Sequence, residues 1–183
     1  MTREALQITD QEQVLLSRIA LKDQEAFEDL YDSYSPKLFQ YARARLGDSH
    51  LAEEVVQETM WAIWQGSANY KRRSKPSTWI FGIAYNKVAD TLKKHIKARS
   101  TDELIDNKTD LVQLDVESEY KYEIERALQQ VSEPCRDALI LSFFYQFNYK
   151  EIGSILGCKE GTVKNRIFRG KQQLRDLLQQ SNL

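Results

Sequence analysis

The chain has few of the residues that punctuate or cross-link other kinds of protein. Seven glycines and three prolines among 183 residues are too few for the many tight turns of an all-β fold. The two cysteines, Cys135 and Cys158, are far apart in sequence. They make neither a disulfide framework nor a zinc site, which points to a reducing, cytoplasmic setting. No apolar run approaches the roughly 18 residues that mark a membrane span. Residues 1–10 are polar and carry acids, unlike a signal peptide. The only histidines are His50 and His95, and there is no phosphate-cradling glycine loop and no carboxylate set at metal-ligand spacing. Neither catalysis nor a metal or cofactor is therefore expected. Net charge is lacking too: 26 basic side chains stand against 27 acidic ones, a net of −1.

What is present is a folded, helical composition. Apolar residues make up 42% and charged residues 29% of the chain, the balance of a soluble domain rather than a disordered one. Leu, Glu, Gln, Lys, Arg and Ala dominate, which favours helix. The near-zero charge is a cancellation of blocks. Residues 1–70 hold 6 basic and 12 acidic side chains, and residues 71–99 hold 9 basic ones with Asp90 as the sole acid. Residues 100–130 hold 3 and 9, and residues 131–183 hold 8 and 5. The nets run −6, +8, −6 and +3. Two basic blocks separated by an acidic one suggest two contacts with a polyanion.

Apolar periodicity divides the chain further. Asp23 is placed to cap a helix through Phe27, Leu30, Tyr31 and Tyr34; Pro36 interrupts it, and the pattern resumes through Leu38, Tyr41 and Leu46 to Gly47. Asp48 or Ser49 caps a third helix that buries Leu51, Val55, Val56, Met60 and Ala62 and ends at Gly66. Residues 67–77 read as a loop, and Ser77 or Thr78 caps a fourth helix running to about Ala98. Residues 100–119 have no sustained apolar stripe and form an acidic linker. Beyond it come a short helix over 120–131, one capped by Ser132 that buries Ala138, Leu139, Leu141 and Phe144, and two more short helices split at Gly157. The expectation is an all-α protein: four helices in 1–99, a flexible linker over 100–119, and a helical domain in 120–183.

The stretch from Tyr149 to Ile167 carries the strongest signal. Gly153 is small where two helices would cross, and Gly157 lies where a positive φ is needed. Val163 and Ile167, four residues apart, would bury one face of the second helix. Thr162, Lys164, Asn165, Arg166, Phe168, Arg169 and Lys171 are left for the exposed and flanking faces, the form of a helix-turn-helix that enters a major groove. Arg and Lys suit guanine edges, Asn suits adenine, and Phe suits a thymine methyl. A helical hairpin with a solvated basic face has the same pattern in outline.

Two further surfaces stand out. Lys71, Arg72, Arg73 and Lys75 lead into Trp79, Phe81 and Tyr85, with Asn86, Asp90, Lys93 or Lys94, and Lys97 near one stripe. Cations beside rings and amides suit single-stranded DNA, although each ring taken alone fits a core position equally. Asp90 can accept a hydrogen bond from a cytosine amino group, or pair with Lys87 or Lys94. On the third helix Glu54, Gln57, Glu58, Trp61 and Gln65 form an acidic stripe with a tryptophan. That stripe is either a protein interface or a place where Trp61 covers a neighbouring helix.

Taken in order, these elements resemble an extracytoplasmic-function (ECF) sigma factor, a compact bacterial transcription initiation factor, from about Asp23 to Leu178. The resemblance is carried by Asp23-Gln24-Glu25-Ala26-Phe27, Ala52-Glu53-Glu54-Val55-Val56-Gln57-Glu58, Thr78-Trp79-Ile80 and Ile83-Ala84-Tyr85-Asn86 in the first part. In the second part it is carried by Tyr149-Lys150-Glu151-Ile152-Gly153 and the run from Gly161 to Lys171. It implies that Glu54, Gln57, Glu58 and Trp61 bind core RNA polymerase at the β′ coiled coil, and that the linker threads toward the active-site and RNA-exit channel of the β and β′ core. It implies that Tyr70, Lys71, Arg72, Arg73, Lys75, Trp79, Asn86, Asp90 and Lys93 open and read the −10 promoter element as single-stranded DNA. Lys164, Asn165, Phe168 and Arg169, beside Thr162, would read the −35 duplex, with Arg166 and Lys171 nearer the phosphates. An anti-sigma factor covering both domains is implied as a regulator.

The chain departs from the pattern in a longer, more basic loop before Trp79 and in Gly82 within the −10 helix. A conventional helix-turn-helix repressor or activator would instead need a dimer interface, and neither a long heptad seam nor a ligand-pocket motif is present.

Overall fold

Each helix has one apolar stripe to bury, and the chain satisfies this in two separate places. The computed structural model describes residues 3–99 and 119–181; the expected linker, apart from Glu119, and the Lys97 side chain lie outside the described residues. The described residues contain eight α-helices and no strand, and divide into two compact units, one on each side of the linker.

The first unit holds α1 (Arg3–Ala20), α2 (Gln24–Leu46), α3 (Ser49–Gly66), a 3-10 turn (Ser67–Asn69) and α4 (Pro76–Arg99). Its core joins Leu16 and Ile19 of α1, Leu30, Tyr34, Leu38 and Tyr41 of α2, Val55 and Ile63 of α3, and Ile80, Phe81 and Val88 of α4. Tyr41 and Phe81 meet edge-on, 5.7 Å between ring centroids, the arrangement that the ring quadrupoles favour. Asp23 caps α2 as expected, accepting from the Ala26 N–H at 3.2 Å. Arg18, 2.7 Å away, holds the Asp23 carboxyl below the usual carboxylate range, helped by that backbone hydrogen bond.

Three expectations for this unit need correction. Pro36 does not break the helix: α2 runs unbroken through it. Asp32, Ser33 and Pro36 all face solvent, so water can reach the carbonyl that proline leaves without a donor, while Leu30, Tyr34 and Leu38 stay in register on the inner face. The fourth helix of the unit is α1, which buries Leu16 and Ile19 in its C-terminal half. Finally, α4 begins at Pro76 rather than after Ser77 or Thr78: the Trp79 N–H bonds the Lys75 carbonyl at 3.1 Å. Proline suits that first position because it has no N–H to leave unpaired.

The second unit holds α5 (Glu119–Gln130), α6 (Glu133–Phe143), α7 (Tyr149–Leu156) and α8 (Glu160–Ser181). Every other helix of the unit packs on α8, which is long rather than short. Ser132 stands at the head of α6, but its hydroxyl bonds Gln173 of α8 at 3.1 Å instead of capping the helix. Phe144, expected inside, is 59% exposed. The chain turns after α6 through Gln146 at φ 54°, and Phe147 takes the inward place, its N–H on the Leu141 carbonyl at 3.1 Å.

Glu12 of α1 accepts a hydrogen bond from the buried Tyr34 hydroxyl. Burial raises its carboxyl above the ordinary 4.5, against the opposing pull of that bond and of the Lys37 and Lys75 charges. A carboxyl raised in this way binds its proton more tightly when folded. Its contribution is therefore most favourable below the unfolded value and declines as pH rises through the folded one. Glu12→Gln keeps an acceptor for Tyr34 and removes the charge. It should stabilise the chain at neutral pH with no gain below pH 4.5, as measured by urea unfolding at both pH values.

Candidate polymerase and nucleic-acid interfaces

Three surfaces emerge once the apolar stripes are buried. On α3, Ala52, Val55, Val56, Met60 and Ile63 face α2 and α4. Glu54, Gln57, Glu58, Trp61 and Gln65 are thereby turned outward. Trp61 is 63% exposed and so does not cover a neighbouring helix. That task falls to Trp64, which the sequence reading did not single out. Its ring meets Phe27 edge-on at 5.1 Å, lies 4.9 Å from the Lys22 ammonium, and its carbonyl accepts from the same ammonium at 2.7 Å. Two acids of the outward stripe are partnered within the unit: Glu58 with Lys87 of α4 at 3.2 Å, and Glu54 with His50 at 3.4 Å.

The basic loop is built on the start of α4. The Tyr70 ring packs against Trp79 at 5.2 Å, and the Tyr70 hydroxyl donates to the Ser74 carbonyl, closing the loop on itself. Burial raises the Tyr70 phenol above its ordinary value, with the Arg72 charge opposing. Arg72 takes a left-handed φ of 54° and donates to Ser17 of α1 at 2.9 Å. That tie joins an element outside the recognised motifs to the loop, and no sequence pattern announces it. Lys71 and Arg73 project into solvent, whereas Lys75 is half-buried near the Glu12 charge.

Along α4, Trp79, Asn86, Asp90 and Lys93 recur at spacings of seven, four and three residues, which places them on one side of the helix. Trp79 is half-buried and the other three are exposed, while Phe81 is core. Asp90 pairs with Lys93 at 3.8 Å rather than with Lys87 or Lys94. Gly82 lies beside this stripe, and a Cβ there would meet nothing within 4 Å. The loop and stripe are therefore continuous through the Tyr70–Trp79 contact.

In the second unit, Asn148 and Glu151 exchange hydrogen bonds at 3.0 and 2.9 Å to cap α7. Gly157 ends it at φ 63°. Gly153 is required by the turn itself, since a Cβ there would stand 2.7 Å from the Cys158 carbonyl oxygen. Val163 and Ile167 are buried. Thr162, Lys164, Asn165, Phe168, Arg169 and Lys171 are exposed, Phe168 at 63%. Arg166 is half-buried and reaches back to Cys158 Sγ at 3.6 Å. The geometry is that of a helix-turn-helix whose second helix offers cations, an amide and an apolar ring together.

A helix-turn-helix unit, and a second helical unit with a cationic loop and an acidic tryptophan stripe, define a promoter-recognising transcription protein. Residues 30–97 match the Sigma-70 region 2 family and residues 121–174 match the Sigma-70, region 4 family. The ECF RNA polymerase sigma factor SigM of Bacillus subtilis is 30% identical over 156 residues, covering 82% of this chain and 93% of SigM. SigW of the same organism is 27% identical over 176 residues, covering 89% and 94%. The solved structure of the sigma factor RpoE in complex with the anti-sigma factor NepR from Bartonella quintana has the same fold, with a TM-score of 0.69 at 24% identity over 84% of this chain and 96% of that one. This chain belongs to the ECF family of RNA polymerase sigma factors.

The two glycines should answer oppositely to alanine. Gly153→Ala is expected to destabilise the second unit by about 1–3 kcal/mol, because a backbone carbonyl cannot swing away as a side chain would. Gly82→Ala should stabilise the first unit by up to about 1 kcal/mol. Thermal denaturation of the two variants checks both signs.

Proposed function

We propose that this sigma factor divides its work among three surfaces. The α3 stripe of Glu54, Gln57, Glu58 and Trp61 docks on the β′ subunit of core polymerase. The loop of Tyr70, Lys71, Arg72, Arg73 and Lys75, with Trp79, Asn86, Asp90 and Lys93 of α4, captures the opened −10 strand. The exposed face of α8 enters the major groove of the −35 duplex. The observation that carries this reading is the sorting of charge within the first unit: an acidic stripe with an exposed Trp61 on α3, and a cationic loop running into an exposed polar stripe on α4. Acidic side chains repel a phosphate backbone and suit a protein partner, whereas cations beside rings suit single-stranded DNA. The open space at Gly82, next to Trp79 and Asn86, leaves room for a base or sugar to approach the helix backbone.

The chain acts as a non-catalytic subunit in the cytoplasm: polymerase supplies the chemistry, and these side chains supply the choice of promoter. Domain limits of 1–99 and 120–183, with the acidic stretch between them, fit this division. An anti-sigma factor is its regulator by analogy with RpoE and NepR, and the exposed rings of Trp61 and Phe168 are apolar anchors of the kind such a partner would cover.

Trp61→Ala removes an exposed ring and should leave the melting temperature unchanged while weakening core-polymerase binding at least about tenfold. Competition binding against the unmodified protein measures this, and unaltered affinity would remove α3 from the interface. Arg169→Ala should cost about 1–3 kcal/mol and relax preference at one position of the −35 element. Transcription by the reconstituted holoenzyme across a randomised promoter library reads that out. A uniform loss across promoters would make Arg169 a phosphate contact instead.

A further inference from the structure

Lys164, Lys171 and Arg175 lie along one flank of α8, because steps of seven and four residues return a helix to nearly the same side. All three are exposed. Two of them lie over aromatic rings. The Lys171 ammonium stands 4.9 Å from the centroid of the Phe143 ring, and the Lys164 ammonium 5.8 Å from that of Tyr149. Lys164 is also 3.3 Å from Glu160 Oε1. Phe143 is the last residue of α6 and Tyr149 the first of α7, so the rings bracket the turn that precedes the helix-turn-helix. Phe143 is 55% exposed and Tyr149 39%, more than burial of an aromatic side chain would leave.

The chemistry of these contacts is selective. A carboxylate beside a lysine cancels its charge and occupies its N–H groups. A ring face attracts the ammonium through its quadrupole, leaves the charge whole, and leaves N–H groups free for a phosphate. It also restricts a side chain that would otherwise lose much rotamer freedom on binding. By this criterion Lys171, over the Phe143 ring, is placed for a phosphate, whereas Lys164 shares its charge with Glu160.

We propose that Phe143 is a positioning residue of the −35 interface: its ring holds Lys171 toward the DNA backbone while Asn165 and Arg169, one turn apart on the adjacent side of α8, face the bases. This rests on the reading of α8 as the −35 recognition helix.

The test uses the full chain assembled with core polymerase on the duplex promoter that the unmodified holoenzyme selects from a randomised library. Binding of Phe143→Leu, Phe143→Trp, Lys171→Ala and the Phe143→Leu/Lys171→Ala double variant is measured over a range of salt. Phe143→Leu is expected to weaken promoter binding about two- to fivefold, and Phe143→Trp, which keeps a ring face, to restore it. Lys171→Ala should lower the slope of log K against log salt by about one. The double variant should bind no more weakly than Lys171→Ala alone, since the ring then has nothing to hold. Additive losses in the double variant, or full binding by Phe143→Leu, would overturn the proposal. Arg169→Ala on the same promoter separates the two levels of failure. If it weakens binding while the Phe143 and Lys171 effects add, only the positioning role fails. If neither Arg169→Ala nor Lys171→Ala has an effect, the reading of α8 fails, and the positioning role with it.

Discussion

Burying Val55, Val56, Met60 and Ile63 of α3 against α2 and α4 leaves Glu54, Gln57, Glu58 and Trp61 no direction but outward. The same constraint operates in the second unit, where Val163 and Ile167 lock α8 against its neighbours and turn the polar and cationic residues to solvent. In small helical units an apolar stripe is the only feature that can fix a helix's rotation, because propensity alone stabilises an isolated helix only marginally. The outward faces are what remains once these stripes are satisfied. A residue on the outer face is thus oriented by the inner face of its own helix.

Charge is arranged on top of that packing rather than in place of it. The basic excess of residues 71–99 is gathered into the loop and α4, and the acidic excess of residues 1–70 includes the outer stripe of α3. Where the two signs meet, they are neutralised locally: Lys87 of α4 takes Glu58 of α3, and Asp90 takes Lys93. These pairs are largely exposed, so each contributes little to stability. Their effect is to decide which charges stay available, and the loop residues Lys71 and Arg73 project into solvent. Beneath the loop, Glu12 supplies a half-buried negative charge near Lys75, which favours the cationic loop close to the body of the unit.

Most of the fold and the composition of the faces could be read from periodicity and capping chemistry. Asp23, Asp48, Gly47 and Gly157 do what their residue types predict, since caps and left-handed glycines depend on a few adjacent residues. The helix-turn-helix was legible for the same reason. Less legible was α1, because residues 1–10 read as polar; among its described side chains Leu16 and Ile19 reach the core. Pro36 misled because a proline stops a helix only where the freed carbonyl has no alternative partner, and on the solvent side of α2 it has one. Phe147 takes the inward place expected of Phe144 because a left-handed Gln146 turns the chain between them, a local event invisible to a periodicity argument.

The amino-acid sequence by itself determined the main buried residues of α3 and α8, where α2 and α3 begin and end, where α7 ends, and which side chains were left for the outer faces. These follow from interactions spanning a few residues: helical spacing, caps and turn glycines. Only the tertiary structure decided the contacts between elements distant in sequence. It joined Arg72 to Ser17 at 2.9 Å, Tyr70 to Trp79, Ser132 to Gln173, and the rings of Phe143 and Tyr149 to the lysines of α8. Such partners depend on how helices are stacked and rotated against one another, which is set by the packing of all the buried stripes at once. The side chains on an outer face can be named from a linear pattern; the neighbours they rest on come from elsewhere in the chain.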